Sequence, residues 1–351
     1  MAYFDQFGGK LTKELLNQYQ QSKNWKKGSF QNLEPTSLSF SPFKIPGIIY
    51  KQLSNRSERA PKKSIPLLPF NKNDFLAPAP EAKFIWYGHS SLLMRMNNKS
   101  ILVDPMLGPD TTPIAPFPTK RFSENTLSII DDFPEIDLLL MTHDHYDHLD
   151  YSSIQKLKLK TKKYFVALGV KRHLVAWGIA PDLITEFDWW DSKTWEDITI
   201  TFTPTRHFSG RGLTDRLKSL WGGWVFKIAN ENIWFSGDGG YGKHFKEIGE
   251  RLGPFDFAFI ECGQYNDDWR PVHLFPEESV QAAIDAKVKK AMPVHWAGFA
   301  LSYQHAWTAP AEEFVKAALD KNLEYSIPAL GKHFNASAME SEKWWLSFSY
   351  R

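Results

Sequence analysis

Residues 142–150 read T-H-D-H-Y-D-H-L-D and set His143, His145, Asp147 and His148 within six positions. Neutral imidazole nitrogens and carboxylate oxygens are the donors that borderline divalent ions such as zinc accept. The largely apolar run at 136–141 comes immediately before them and reads as a buried strand. One strand end therefore delivers three imidazoles and a carboxylate into a small volume. In a strand or turn His143 and His145 share a side, whereas Asp147 and His148 follow a reversal, so the spacing suits two adjacent ions better than one.

Three more apolar runs end in the same way. The alternating run at 198–202 leads to His207, the run at 233–235 to Ser236, Gly237 and Asp238, and the run at 291–294 to His295. Taken singly, His207 reads as an ordinary histidine and Asp238 as a turn residue among glycines. Together they place suitable donors at the ends of four strands, and ligands of open α/β sheets sit at the carboxyl ends of strands.

The elements that position these donors are legible as periodicities. Short strands are expected at 84–87, 91–96 and 101–103, the last two joined through Asn97 and Asn98, and further strands at 164–167, 184–187, 222–228, 257–260 and 324–327. Helical spacing predicts helices at 170–177, 245–252, 279–286 and 311–319. Another should follow the histidine cluster, with Asp150 as its N-cap and Ile154 and Leu157 facing inward. Residues 111–119 are expected as a proline-rich loop. Mixed strands with intervening helices predict an α/β or α+β body whose sheets are covered by helices.

The chain of 351 residues is 42% hydrophobic, enough for a sizeable core. Its single cysteine, Cys262, follows an apolar run and reads as a buried, inert thiol, which fits a reducing compartment. The first ten residues lack the features of a signal peptide and no apolar run reaches membrane-spanning length, so a cytoplasmic location is expected. Net charge is +2, but residues 1–80 hold 12 Lys+Arg against 5 Asp+Glu, an excess of +7 that leaves −5 for the rest. Leu11, Leu15, Leu16 and Tyr19 recur at helical spacing in that basic segment and predict a helix packed on the body. Peripheral contact with an anionic membrane surface is the sharper alternative. With the excess confined there and no recognition module, nucleic acid is not the expected partner. Trp189-Trp190 and Trp344-Trp345 read as packing, with the lining of a lipid-sized groove as the alternative.

The string H-x-H-x-D-H, followed at long intervals by His, Asp and His, resembles the metallo-β-lactamase superfamily of dinuclear metallohydrolases. The resemblance implies an αββα sandwich, with two sheets inside and helices outside. It also implies that His143, His145 and His207 hold one ion, that Asp147, His148 and His295 hold the other, and that Asp238 bridges both. Within the superfamily, Trp86-Tyr87-Gly88-His89-Ser90, Asp104-Pro105, Lys120-Arg121-Phe122, Leu220-Trp221-Gly222, Gly253-Pro254-Phe255-Asp256 and His295-Trp296 are similar to the N-acylphosphatidylethanolamine-hydrolysing phospholipase D family. That likeness runs from about Phe84 to about His333. It divides the chain into a basic extension at 1–80 that packs on or caps the body, a hydrolase domain at 81–335 and a carboxyl-terminal tail at 336–351.

Two divalent ions about 3.5–4 Å apart can share a water, lower its pKa towards 7 and act as Lewis acids on a phosphoryl oxygen. Zinc suits the nitrogen and oxygen donors, with iron or manganese as alternatives. The expected activity is phospholipase D-type cleavage of an N-acylphosphatidylethanolamine-like lipid through a metal-bridging hydroxide, with Asp147 and Asp238 serving it as ligands. His273, just ahead of a helix start, is the candidate for protonating the leaving group or contacting phosphate. Lys120, Arg121, Arg211, Tyr303 and His305 are candidate substrate contacts, and His89 and Asp104 are expected to orient the ligands by hydrogen bonding. The alternatives are a lactonase or carboxyl-ester hydrolase acting on a soluble anionic metabolite, and a nucleic-acid-processing hydrolase.

Overall fold

Asn97 and Asn98 both take positive φ, 47° and 60°, the conformation that a tight two-residue hairpin demands. They join β4 (Leu92–Met96) to β5 (Lys99–Val103) in a computed structural model that describes residues 5–37, 47, 56–112 and 118–349. Residues 1–4, 38–46 and 48–55 of the basic extension, 113–117 in the middle of the proline-rich loop, and 350–351 lie outside the described residues.

Among the described residues the strands form two seven-stranded sheets and one short hairpin, β1 (Trp25–Lys26) with β2 (Ser29–Phe30). The first sheet contains β3 (Lys83–Trp86), β4, β5, β6 (Leu138–Met141), β7 (Tyr164–Ala167), β8 (Ile184–Phe187) and β16 (His333–Asn335), in the order β16-β3-β4-β5-β6-β7-β8. The second contains β9 (Ser192–Trp195), β10 (Ile198–Pro204), β11 (Gly222–Lys227), β12 (Asn232–Phe235), β13 (Phe255–Glu261), β14 (Val288–Val294) and β15 (Glu324–Tyr325), ordered β15-β14-β13-β12-β11-β10-β9. Neighbours are parallel from β5 to β8 and from β12 to β15, and antiparallel elsewhere.

The sheets face each other through aromatic side chains. Phe84 of the first lies 5.7 Å from Phe257 and 5.2 Å from Phe259 of the second. On its other face β13 turns Ala258 and Ile260 towards Phe245 and Ile248 of the helix His244–Arg251, Val280 of Pro276–Asp285 and Phe314 of Ala309–Asp320. Burial on both faces explains the near-continuous apolar run of that strand. The result is the αββα arrangement, sheets inside and helices outside. The helix after the histidine cluster is Tyr151–Leu157, with Asp150 as N-cap and Ile154 and Leu157 buried.

Two strands carry no periodic signal. β9 is an edge strand of sequence S-K-T-W with three exposed residues, so it never alternates, and β16 has three residues that gain their place only by pairing with β3. The amino-terminal segment packs on the body: Tyr19, from the helix Lys13–Tyr19, is buried against Trp25 and Phe30, while Ser22 and Asn24 hydrogen-bond Asp188 at 2.5 and 2.6 Å. The segment after 335 packs as well, with Trp344 and Trp345 5.6 and 5.7 Å from Trp296. Trp189 is buried and Trp190 half-buried. Cys262 is a buried free cysteine whose thiol pKa burial pushes well up. No helix of the described residues is long and apolar enough to cross a membrane.

Candidate metal centre

Every strand that points at the site ends on a polar side chain. Asp104 follows β5, the cluster from His143 to His148 follows β6, His207 follows β10, Asp238 follows β12, Glu261 closes β13 and His295 follows β14. The turn before Asp238 needs glycine, because Gly237 has φ +65° and a Cβ there would sit 2.2 Å from the Gly222 carbonyl oxygen.

One group of donors is His143, His145 and His207. The Thr142 hydroxyl donates to Asp104 Oδ2 at 2.6 Å, which leaves its oxygen to accept from His143 Nδ1 at 2.9 Å. His207 Nδ1 donates to the Val272 carbonyl at 2.9 Å. Those two donations put lone pairs on the Nε2 atoms of both rings, and both face His145 Nδ1, at 3.0 and 3.2 Å. Lone pairs cannot hydrogen-bond one another. A proton on His145 serves one contact at a time, whereas a divalent cation serves all three nitrogens.

A second group is His89, Asp147, His148 and His295, and three smaller ones overlap them: His143, His148 and Asp238; His207, Asp238 and His273; and Glu261, His273 and His295. Asp104 Oδ2 accepts from His148 Nδ1 at 2.8 Å, turning His148 Nε2 to within 3.0 Å of Asp238 Oδ2. His295 Nε2 lies 3.0 Å from Asp238 Oδ2 and 3.3 Å from Asp147 Oδ2, and His89 Nε2 lies 3.0 Å from that same Asp147 oxygen. Asp238 Oδ2 is also 4.0 Å from both His143 Nε2 and His207 Nε2, so it sits between the groups. Burial disfavours charge on His148 and His295, but Asp238 and Asp147 outweigh it, raising His148 well above its ordinary value and His295 to about 10. Burial prevails at His145 and His89, which fall to about 4 and 3, and at His143 and His207, which fall well below the ordinary value. The centre thus combines neutral imidazoles with carboxylates that attract positive charge, and the residues fit divalent cations.

His273 comes to the same place. Its ring lies 5.1 Å from that of His207 and 5.3 Å from that of His295, and Nδ1 is 2.5 Å from Glu261 Oε1. Glu261 is 1% exposed and also accepts from the Gly239 and Leu274 amides. The helix start beyond His273 is occupied by the chain's own carboxylates, since Glu278 accepts from the Phe275 amide at 3.1 Å. Asp144 is a further buried carboxylate, 2.6 Å from Ser219 Oγ and 3.3 Å from His173 Nε2. Burial opposes its ionisation, but His173 and Arg172 hold it well below the usual carboxylate range. Glu261 had a signal in the sequence, a carboxylate ending an apolar strand; Asp144 stood in plain view between His143 and His145.

The expected substrate contacts are placed differently. Arg211 is buried, stacks 4.0 Å over Tyr146 and donates to the carbonyls of Asp144, Leu149 and Gln6. Arg121 is buried, donates to the carbonyls of Met106 and Tyr87, and lies 5.1 Å over Phe299. Both guanidiniums donate to main chain from buried positions, a placement that charge alone does not foretell. Tyr303 is buried with its hydroxyl on Asp268, and His305 stacks 4.2 Å from Tyr265 with Nδ1 on the Ala306 carbonyl. Lys120 is exposed beside its bridge to Asp110. Arg216, unanticipated, lies 4.6 Å over Phe208 and lines a cavity of about 120 Å³ that includes His207.

Residues 99–296 match the family described as the Beta-lactamase superfamily domain. The chain is 31% identical over 268 residues to N-acyl-phosphatidylethanolamine-hydrolyzing phospholipase D 1 of Caenorhabditis elegans, covering 72% of this chain and 75% of that protein. It is 32% identical over 332 residues to an uncharacterised protein of Mycobacterium tuberculosis, covering 93% and 88%. The solved structure of Igni18, a metallo hydrolase from Ignicoccus hospitalis, shares the fold at a TM-score of 0.55 and 18% identity, covering 72% of this chain and 97% of that one. A match over more than half of the length fixes the family: this chain is a metal-dependent hydrolase that belongs to the metallo-β-lactamase superfamily and, within it, resembles the N-acylphosphatidylethanolamine-hydrolysing phospholipases D.

Proposed function

We propose that the protein is a dinuclear phosphodiesterase of phospholipase D type, acting on N-acylphosphatidylethanolamine-like lipids. In this reading His143, His145 and His207 hold one ion, Asp147, His148 and His295 the other, and Asp238 both, with zinc the first choice of metal. The observation that carries the reading is this pair of donor groups around one shared carboxylate oxygen, in a chain collinear with the nematode phospholipase. When bound, two such ions lower the pKa of water towards neutrality and neutralise charge on a phosphoryl oxygen.

The chain's own residues then divide the work. Asp238 would be shared between the cations, which would make it a poor proton acceptor and leave it the role of a ligand. Glu261 accepts from Nδ1 of His273, so that in the imidazolium form Nε2–H is free to give its proton to the departing alkoxide and the ring is left neutral. Arg216 takes the anion-binding role that Arg121 and Arg211 cannot. Exposed Lys23, Lys26 and Lys27 on the amino-terminal segment suit an anionic surface, and with it a lipid substrate.

The test is turnover of metal-loaded protein on N-acylphosphatidylethanolamine in mixed micelles, an N-acyl homoserine lactone and single-stranded RNA, assayed side by side. Release of phosphatidic acid supports the proposal. Turnover of the lactone or the RNA alone overturns it.

A further inference from the structure

Both main-chain polar groups of His207 are satisfied from the far end of the sequence. Asn32 Nδ2 donates to the His207 carbonyl at 2.8 Å, and Asn32 Oδ1 accepts from the His207 amide at 3.1 Å. The same Oδ1 accepts from Trp221 Nε1 at 3.0 Å, which fixes the orientation of the amide. Only a side chain with a donor and an acceptor on one plane meets all three groups; aspartate would set an oxygen against the carbonyl, and alanine would leave the His207 amide and carbonyl without partners, while Trp221 Nε1 keeps the Thr205 carbonyl at 3.2 Å.

The contact continues on either side. Arg206 donates to Thr36 Oγ1 at 3.0 Å and to the Pro35 carbonyl at 2.9 Å, and Glu34 Oε2 accepts from the Lys243 amide at 2.9 Å. Arg206 in turn accepts from the Gly240 amide at 2.9 Å, two residues beyond Asp238. Residues 32–36 therefore lie across the loops that carry His207 and Asp238. The side chain of His207 is aimed by Val272 and its backbone by Asn32.

We infer that the amino-terminal segment is part of the metal centre, with Asn32 as the positioning residue for His207. This rests on the reading of His207 as a ligand and is independent of which substrate is cleaved. Partners that orient a ligand carry roughly 10–100-fold in metal affinity, so the effect falls on the ion held by His143, His145 and His207.

The test is zinc titration of full-length apo-protein against a chelating dye, with metal per chain measured by elemental analysis, in wild type, Asn32→Ala and Asn24→Ala. Asn24 belongs to the same segment but hydrogen-bonds Asp188, away from the donors. The expected result is two ions in wild type and Asn24→Ala, and a tenfold or greater loss of affinity for one of them in Asn32→Ala with the melting transition still cooperative. Wild-type affinity for both ions in Asn32→Ala overturns the inference while leaving the ligand reading intact. An equal loss in Asn24→Ala also overturns it, because the effect would then be detachment of the segment. A wild-type protein that binds no ion overturns the ligand reading and this inference together.

Discussion

Glu261 Oε1 lies 2.5 Å from His273 Nδ1 and decides which nitrogen of that ring is left for chemistry. His273→Ala is accordingly expected to lower kcat by about 10²–10⁴-fold, the range of general acid catalysis, with both ions retained. Glu261→Gln should lower it less. Rates on N-acylphosphatidylethanolamine, paired with elemental analysis of the same samples, check both; loss of an ion in His273→Ala would move that residue into the ligand set.

Asp238 Oδ2 stands 3.0 Å from two imidazoles and 4.0 Å from two others. Asp238→Ala and Asp147→Ala should each abolish turnover and release metal. Full occupancy in Asp238→Ala would remove the bridging role.

Asp104 accepts from the Thr142 amide at 2.8 Å, the Thr142 hydroxyl at 2.6 Å and His148 Nδ1 at 2.8 Å. Asp104→Asn puts a donor where an acceptor is needed and should weaken metal binding roughly 10–100-fold. A chelator competition curve indistinguishable from wild type would show that His148 holds its orientation without this carboxylate.

Metal removal should give the stability a pH dependence of known sign. His148 and His295 have raised folded-state pKa values, His295 to about 10, so in metal-free protein their contribution is full below about pH 6.5, the ordinary histidine value, and is lost as pH rises towards 10. His89, His143, His145 and His207 have lowered values and are neutral in both folded and unfolded chains above pH 6.5, so they add no slope there. The melting temperature of chelated protein should fall between pH 6.5 and 10 more steeply than that of loaded protein. Parallel curves would contradict the charge assignment.

Arg211 donates to three main-chain carbonyls from a buried position. Arg211→Met strands those acceptors at about 1–3 kcal/mol each, so denaturant unfolding should register a loss of roughly 3 kcal/mol or more. A change in KM with unaltered stability would restore it to substrate binding.

The donors were legible because each follows an apolar run, and an apolar run that stops at a histidine or aspartate looks the same in sequence as in space: β6, β10, β12 and β14 each show it. Glu261 ends β13 in the same way but was overshadowed by the cysteine next to it. The placing of the arginines had no such signal, because a charged residue type says nothing about where its guanidinium lands, and Arg121 and Arg211 both fold back onto carbonyls. The pairing of Asn32 with His207 spans 175 positions and leaves no local trace, as does β16, which exists only because β3 offers it an edge.

The donors also reach the centre from opposite sheets: the residues from His143 to His148 from one, and His207, Asp238 and His295 from the other. An ion held among them is a cross-link between the halves of the sandwich, and at a hundredfold excess over its Kd a single ion adds about 2.7 kcal/mol to the folded state. A cell short of the metal would then carry more than an idle catalyst. It would carry a less stable chain, more often open to proteases, so that abundance of the protein is expected to fall with the metal supply.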